Sequence, residues 1–321
     1  YINIDAFDIM CQNILDRLHS INYEIDGITI FITFSMGADI CFDSGCDLIG
    51  RADMALKTAK KRGLTLVKYH DSLHIKEEYL NNISWSKKLK EAIDNQQFEL
   101  YYQGIHEATT QNIYEYEALI RIIDKEGTVI SPASFLEIAK KSRLYIHITD
   151  FVIRQIFEQL RTTPHRYSIN LSVDDILNPK TQTMLYELLT EYPVGNRLIF
   201  EILESEGIEN YQEVSAFITH VKKYGCKIAI DDFGTGYSNF AHIMKLNVDF
   251  IKIDGSLIKR LDLDLGAQNI VHTIVEFAHR LNIKTVAEFV CSQDIYNKCR
   301  DIGIDYLQGY YLSEPKPGSE I

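Results

Sequence analysis

Residues 227–238 read KIAIDDFGTGYS. Lys227–Ile230 has the length and the branched apolar content of a buried strand. It closes on two adjacent acids, Asp231 and Asp232. Two like charges side by side at the end of an apolar strand cost free energy unless a cation or hydrogen bonds compensate them. Phe233–Ser238 follows as a loop whose two glycines admit backbone conformations closed to other residues. Beside an acidic pair such a loop is a candidate gate; the plainer reading is a tight turn.

Working outward, similar short apolar runs occur at Phe98–Ile105, Ile113–Ile122, Tyr167–Leu171, Leu198–Phe200, Phe250–Ile253, Lys284–Ala287 and Asp305–Leu307. Amphipathic helical stretches separate most of them, among them Ile148–Leu160, Tyr211–Tyr224 and Ala267–Leu281. Only the first pair is joined by a short polar connection, His106–Asn112, as in a hairpin. Eight strands, mostly with crossover helices, predict an α/β fold, a (β/α)8 TIM-like barrel with an irregular first strand. A doubly wound open sheet is the alternative, and no GxGxxG turn supports it.

The polar residues fall where a barrel would gather them. Glu117 lies in the second run, Asn170 near the end of the third, and Glu201 ends LIFE. Lys252 and Asp254 sit in FIKID, Glu288 ends KTVAE, and Gln308 ends DYLQ. Strand C-termini of a barrel converge on one rim, and that rim holds the active site. Taken singly, each acid reads more simply as a helix cap, Asn170 as a turn residue, and Lys252 or Arg121 as half of a structural ion pair. Taken together they form one polar rim. Oxygen ligands without His or Cys favour Mg²⁺ or Mn²⁺ over zinc. Two such ions about 3.5–4 Å apart would clamp a phosphoryl displacement. Arg121 suits a phosphate oxygen.

The chain has 321 residues, which predicts two domains. The seam falls near residues 70–97, where a polar stretch of helical spacing, His74–Asn95, reads as a linking helix. Before it, Gly27–Ala38 reads as one strand and Asp47–Arg62 as an Asp-started helix. A net charge of −12 argues against a nucleic acid polymer as partner, so a phosphate ligand needs a local clamp or metal ions. No apolar run reaches 18 residues, and no membrane contact is expected. The six cysteines make no CxxC pair, and no charged-then-apolar leader opens the chain, so a cytoplasmic protein with free thiols is expected. The chain starts at Tyr1 rather than Met and is expected to be a fragment, with a sensor or membrane segment upstream.

In order along the chain stand YYQGI, YEALIRI, INLS, FEILES, AIDDFGTGYSN, FIKIDGSLI, TVAEFV and LQGYYLSEP. From Trp85 to roughly Ser319 the sequence thereby resembles the EAL-domain cyclic di-GMP phosphodiesterases. The resemblance implies hydrolysis of cyclic di-GMP to linear pGpG with two divalent cations, Mg²⁺ or Mn²⁺. Glu117, Asn170, Glu201 and Asp231 match that family's ligands to one metal. Asp231, Asp232 and Glu288 match those near the second, with Glu288 also as general base. Lys252 matches the lysine that holds the attacking water, and Gln308 a glutamine that supports the metal–water network. Glu204 matches the anchor of the gating loop; Gln103, Leu119 and Arg121 match substrate contacts, and Asp254 is grouped with them. A homodimer through the barrel is a further expectation.

Some positions depart from the family pattern. Gly104 replaces Pro in YQPI, Ala139–Arg143 reads AKKSR where acids are usual, Leu203 replaces Thr, and AEFVC stands for AEGVE. No matched metal or water residue is lost, so an active enzyme is favoured over a receptor that binds without cutting, or a barrel acting on another phosphate ester. Upstream, ITFSMGADI and RADMALKTAKKRG resemble the end of a GGDEF diguanylate cyclase domain, with Lys57 and Leu64 as departures. The expected organisation is residues 1–72 as that partial α/β GGDEF-like segment, 73–96 as a linking helix and 97–319 as the barrel. Without the GGDEF signature this segment is not expected to make cyclic di-GMP.

Overall fold

A computed structural model describes residues 4–321 except 20, 22, 26–27, 31–32, 41–46, 71–74, 206–209 and 235–239. The chain divides into two compact units, Tyr1–Lys87 and Lys88–Ile321.

In the first unit, strands β1 (Tyr23–Ile25) and β2 (Ile28–Ile30) form an antiparallel pair. Strand β3 (Met36–Ala38) runs parallel to β4 (Leu66–Lys68), and the helix Leu48–Arg62 connects them. Asp47 caps that helix by accepting from the Gly50 amide, and Gly63 ends it in the left-handed conformation at φ 63°. The single strand expected over Gly27–Ala38 is therefore corrected. Residues 28–30 and 36–38 are separate strands of different sheets, and residues 33–35 belong to neither. The reason is partnership. The β2 segment pairs antiparallel with β1, whereas β3 lies against the crossover helix so closely that a Cβ on Gly37 would stand 2.1 Å from the Leu56 amide nitrogen. A helix not read from the sequence, Ile4–His19, buries Phe7 and Cys11 in a cluster with Ala38. Gly27, Cys41 and Cys46 lie outside the described residues.

The second unit holds β5 (Phe98–Glu107), β6 (Ile113–Ile123), β7 (Val129–Ile130), β8 (Tyr167–Asn170), β9 (Leu198–Leu203), β10 (Lys227–Phe233), β11 (Phe250–Ile253), β12 (Lys284–Ala287), β13 (Tyr306–Leu307) and β14 (Lys316–Pro317). Eight of them close a ring in the order β5-β13-β12-β11-β10-β9-β8-β6, and β6 returns to β5. All neighbours in the ring are parallel except β5, which is antiparallel to both β6 and β13. This is the (β/α)8 barrel with its irregular first strand; the closure excludes an open doubly wound sheet. Helices such as Tyr145–Thr162 cover the outside, burying Ile148, Ile153, Ile156, Phe157 and Leu160 on one face.

The period-2 alternation of a strand decides what fills the barrel. Ile199, Ala229, Phe250 and Val286 cluster inside with Ile105, and Tyr306 packs against them. Each lies one pleat from a polar residue: Ile199 below Glu201, Ala229 below Asp231, Phe250 below Lys252, Val286 below Glu288, Tyr306 below Gln308. The apolar packing thus forms a floor, and the next inward position on each strand carries the chemistry.

The strand N-termini serve stability instead. Asp305 accepts from Lys284 Nζ at 2.6 Å, from the Thr285 amide at 3.0 Å and from Thr285 Oγ1 at 3.0 Å, and it meets His279 Nε2 at 2.9 Å. Burial alone would raise its pKa, but the bonds from Lys284, Thr285 and His279 hold it below the ordinary 3.8. A depressed carboxylate pKa gives stability that is complete above the unfolded value and is lost as pH falls through the folded one. Asp305→Asn is expected to cost about 1–3 kcal/mol at neutral pH. Its denaturation midpoint should converge on the wild type's as pH falls below 3.8, which urea titrations at several pH values would check.

Candidate active site

Lys252 stands at the centre of the rim. Its side chain is 1% exposed, and Nζ lies 2.6 Å from Glu201, 2.9 Å from Glu288, 3.1 Å from Asp231 and 3.7 Å from Glu117. A lysine is fully buried only when paired. Burial would lower its pKa, but Asp231, Glu117, Glu201 and Glu288 raise it well above its ordinary value, so the ammonium stays charged.

The carboxylates outnumber that single cation. Burial, and then the Glu117 charge, pushes the Glu201 carboxyl well above its ordinary range. Burial raises Glu288 to about 8. Burial and then the neighbouring Asp231 and Asp254 charges raise Asp232. Glu117 is the exception. Although burial opposes it, Lys252 and hydrogen bonds from Gln308 and Asn170 lower its pKa. Asn170 Nδ2 donates to Glu117 at 2.8 Å and Gln308 Nε2 at 2.6 Å. Gln308 Nε2 also reaches Gln103 Oε1 at 3.2 Å, and Gln103 Nε2 donates to the Ser313 carbonyl at 3.0 Å. Residues some two hundred positions apart do meet here.

The adjacent acids Asp231 and Asp232 share the site because the strand is irregular there. Neighbouring residues on a regular strand point to opposite faces. Between Ile230 and Phe233 the pairing with β11 slips, and Asp232 adopts φ 54°. This bulge turns the second acid toward the first. Asp231, Asp232 and Glu288 offer ligand atoms that all lie within 4.8 Å of one another. Oxygens Glu201 Oε1 and Gln308 Oε1 are buried and accept no hydrogen bond among the described residues, and Asp231 Oδ1 is buried against Lys252 Nζ at 3.1 Å. Oxygen donors in charge excess, three of them gathered within 4.8 Å, fit hard divalent cations.

The remaining expected residues fall around this cluster. Glu204 Oε2 accepts from the Gly234 amide at 3.3 Å, so it holds the first residues after the acidic pair. Residues 235–239, the rest of the expected gating loop, lie outside the described residues. Asp254 caps the short helix Gly255–Ile258, accepting from the Ser256 amide at 2.8 Å. Arg121 packs over the Tyr101 ring, 5.5 Å from its centroid, and donates to the Ile120 carbonyl. It lines a cavity of about 480 Å³ with Gln103, Glu117, Leu119, Glu288 and Phe289. A second cavity of about 370 Å³ runs along Leu119, Lys140, Tyr145, Asn170, Glu201 and Leu203. Leu119 borders both cavities, and each reaches a different side of the carboxylates.

The sequence reading missed what Gly104 makes room for, and it missed Glu115. Gly104, a departure from the family pattern, leaves room for His106 and Ser313, since a Cβ there would stand 2.9 Å from His106 Nε2 and 3.1 Å from Ser313 Oγ. Glu115 is 3% exposed inside the barrel. Its signal lay in the alternation of YEYEALIRI, where residues 115 and 117 share a face.

A closed barrel with a lysine–carboxylate cluster at its strand C-termini defines a class of hard-cation enzyme site. The EAL domain profile matches residues 86–315, and the chain belongs to the EAL domain family. It is 30% identical over 319 residues to the cyclic di-GMP phosphodiesterase PdeB of Shewanella oneidensis, covering 96% of this chain and 37% of that protein. It is 31% identical over 252 residues to the cyclic di-GMP phosphodiesterase PdeF of Escherichia coli, covering 77% of this chain and 34% of that protein. The chain therefore spans well under half the length of these curated relatives. Among solved structures it is similar to the PaMucR phosphodiesterase in complex with c-di-GMP, with a TM-score of 0.69 and 28% identity over 74% of this chain and 99% of that one.

Proposed function

We propose that the barrel hydrolyses cyclic di-GMP to linear pGpG with two divalent cations, Mg²⁺ or Mn²⁺. The observation that carries this reading is the convergence of Glu117, Asn170, Glu201, Asp231, Asp232 and Glu288 around one buried lysine, between two cavities that share Leu119. A ligand with two bases flanking a central phosphodiester ring suits that arrangement. When bound, the ions would withdraw charge from the scissile phosphate and activate a water.

The chain's own groups supply the rest. Glu117, Asn170, Glu201 and Asp231 would hold one cation, and Asp231, Asp232 and Glu288 the other. Lys252 fixes the attacking water, and Glu288 accepts its proton. Gln308 keeps Glu117 oriented through its 2.6 Å bond. Arg121, Gln103, Leu119 and Asp254 hold the nucleotide, and Glu204 anchors the loop after Asp232. Residues 1–72 belong, in this reading, to a GGDEF-like domain, supported by the β3–helix–β4 unit. Residues 73–96 link it to the barrel at 97–319. The four described cysteines carry free thiols, which favours a cytoplasmic setting. No helix among the described residues is long and apolar enough to cross a membrane. A homodimer through the barrel rests on the family resemblance alone.

A substrate panel tests the assignment. Cyclic di-GMP is expected to be cut at least about 100-fold faster, by kcat/KM, than cyclic di-AMP or 3′,5′-cyclic GMP. Equal rates would point to another phosphate ester. Tight calorimetric binding of cyclic di-GMP with no product would point to a receptor.

A further inference from the structure

His106 is a buried polar residue of β5 that the proposed reaction does not use. Gln103 and Ile105 point into the barrel, so Gly104 and His106 belong to the outer face of that strand. His106 Nδ1 lies 2.9 Å from the Gln111 carbonyl oxygen, which can only accept, so Nδ1 carries a hydrogen. In the neutral ring this leaves Nε2 to accept from the Ser313 hydroxyl, whose Oγ lies 3.0 Å away. The pair fills the space that Gly104 leaves, where a Cβ would stand 2.9 Å from His106 Nε2 and 3.1 Å from Ser313 Oγ.

Ser313 connects this outer pair to the rim. Its carbonyl oxygen accepts from Gln103 Nε2 at 3.0 Å. A primary amide has a donor end and an acceptor end, so this bond decides which end of Gln103 faces Gln308. The acceptor end does: Gln103 Oε1 accepts from Gln308 Nε2 at 3.2 Å, and the same nitrogen donates to Glu117 Oε2 at 2.6 Å. Were the Gln103 amide turned over, its Nε2 would face Gln308 Nε2, donor against donor. Turning Gln308 to relieve that would present its Oε1 to the Glu117 carboxylate, acceptor against acceptor. One backbone carbonyl outside the acidic cluster thus sets the polarity of two amides and, through them, the orientation of an expected cation ligand.

We propose that His106 and Ser313 are positioning residues. Their bond locks the Ser313 carbonyl against β5, and through Gln103 and Gln308 it keeps Glu117 turned to the cation site. The proposal rests on the phosphodiesterase reading for its effect on turnover, but not for its effect on cation binding.

The test is a cycle of variants of the whole chain. Ser313→Ala removes one hydroxyl and His106→Leu removes the ring nitrogens; each is also placed in a Gln103→Ala background. Thermal melting, calorimetric Mn²⁺ binding to the nucleotide-free protein, and kcat for cyclic di-GMP are measured. Losing a group bonded directly to a metal ligand typically costs about 10- to 100-fold in affinity. His106 and Ser313 act further out, so each single variant is expected to lower Mn²⁺ affinity and kcat by roughly three- to tenfold. In Gln103→Ala the same substitutions should change both by less than about twofold, because the relay is already cut, while their effect on melting persists. A merely structural pair would lower affinity and kcat by the same factor in both backgrounds, and that result would overturn the proposal. So would Mn²⁺ affinity within about twofold of wild type in both single variants. Should His106→Leu fail to fold, Ser313→Ala decides alone. If the wild type cuts no cyclic di-GMP, the functional reading fails, and the Mn²⁺ cycle still decides the role of the pair.

Discussion

Lys252→Met is expected to lower the melting temperature of the metal-free protein by roughly 10 °C and turnover by roughly 1,000-fold. The ammonium is the shared counter-charge of Glu117, Glu201, Asp231 and Glu288, at 2.6–3.7 Å. Removing one partner of a buried ion pair typically costs about 3–5 kcal/mol, because the other charge stays behind uncompensated. Here four carboxylates stay behind. Mn²⁺ should then stabilise the variant more than it stabilises wild type, since a ligand bound only by the folded state shifts the unfolding equilibrium in proportion to its affinity. The melting gap should narrow as Mn²⁺ is added while turnover stays low, because cations would replace the charge of Lys252 but not the placement of the water proposed for it. Equal melting temperatures in chelator would contradict the hub role assigned to Lys252.

Glu288→Gln is expected to act on the chemistry. It should lower kcat by roughly 100- to 10,000-fold while leaving the affinity for cyclic di-GMP within about threefold. Gln keeps the shape and the packing at the end of β12 but cannot take a proton from water. It is also a poorer cation ligand, so single-turnover rates are best compared at saturating Mn²⁺. Direct nucleotide binding separates lost chemistry from lost substrate. Turnover within tenfold of wild type would remove Glu288 from the role of proton acceptor.

Much of the barrel was legible in the sequence because strand alternation and the strand-end acids agree. KIAIDD, FIKID and KTVAE each carry an apolar residue two positions before a polar one, and the structure turns that pattern into a floor and a rim. The antiparallel β5 was foreshadowed by the short connection His106–Asn112. Other features depend on backbone geometry that composition does not encode. The bulge that brings Asp232 beside Asp231 is a register slip against β11 with φ 54°. The division of Gly27–Ala38 into two strands depends on which partner each half finds. Asp254 shows the opposite case, since the helix cap offered by the simpler reading is what it forms. Glu115 stands two positions before Glu117 of the EAL tripeptide, so strand alternation alone turns both acids of YEYEALIRI to the same face.

The most direct test of the central claim is chromatography of cyclic di-GMP incubated with chelator-stripped protein, before and after Mg²⁺ or Mn²⁺ is restored. Linear pGpG should be absent with chelator and should accumulate once either cation is added. Folded protein that binds cyclic di-GMP yet yields no pGpG with either ion, or that yields it equally in excess chelator, would contradict a cation-dependent hydrolysis at this rim.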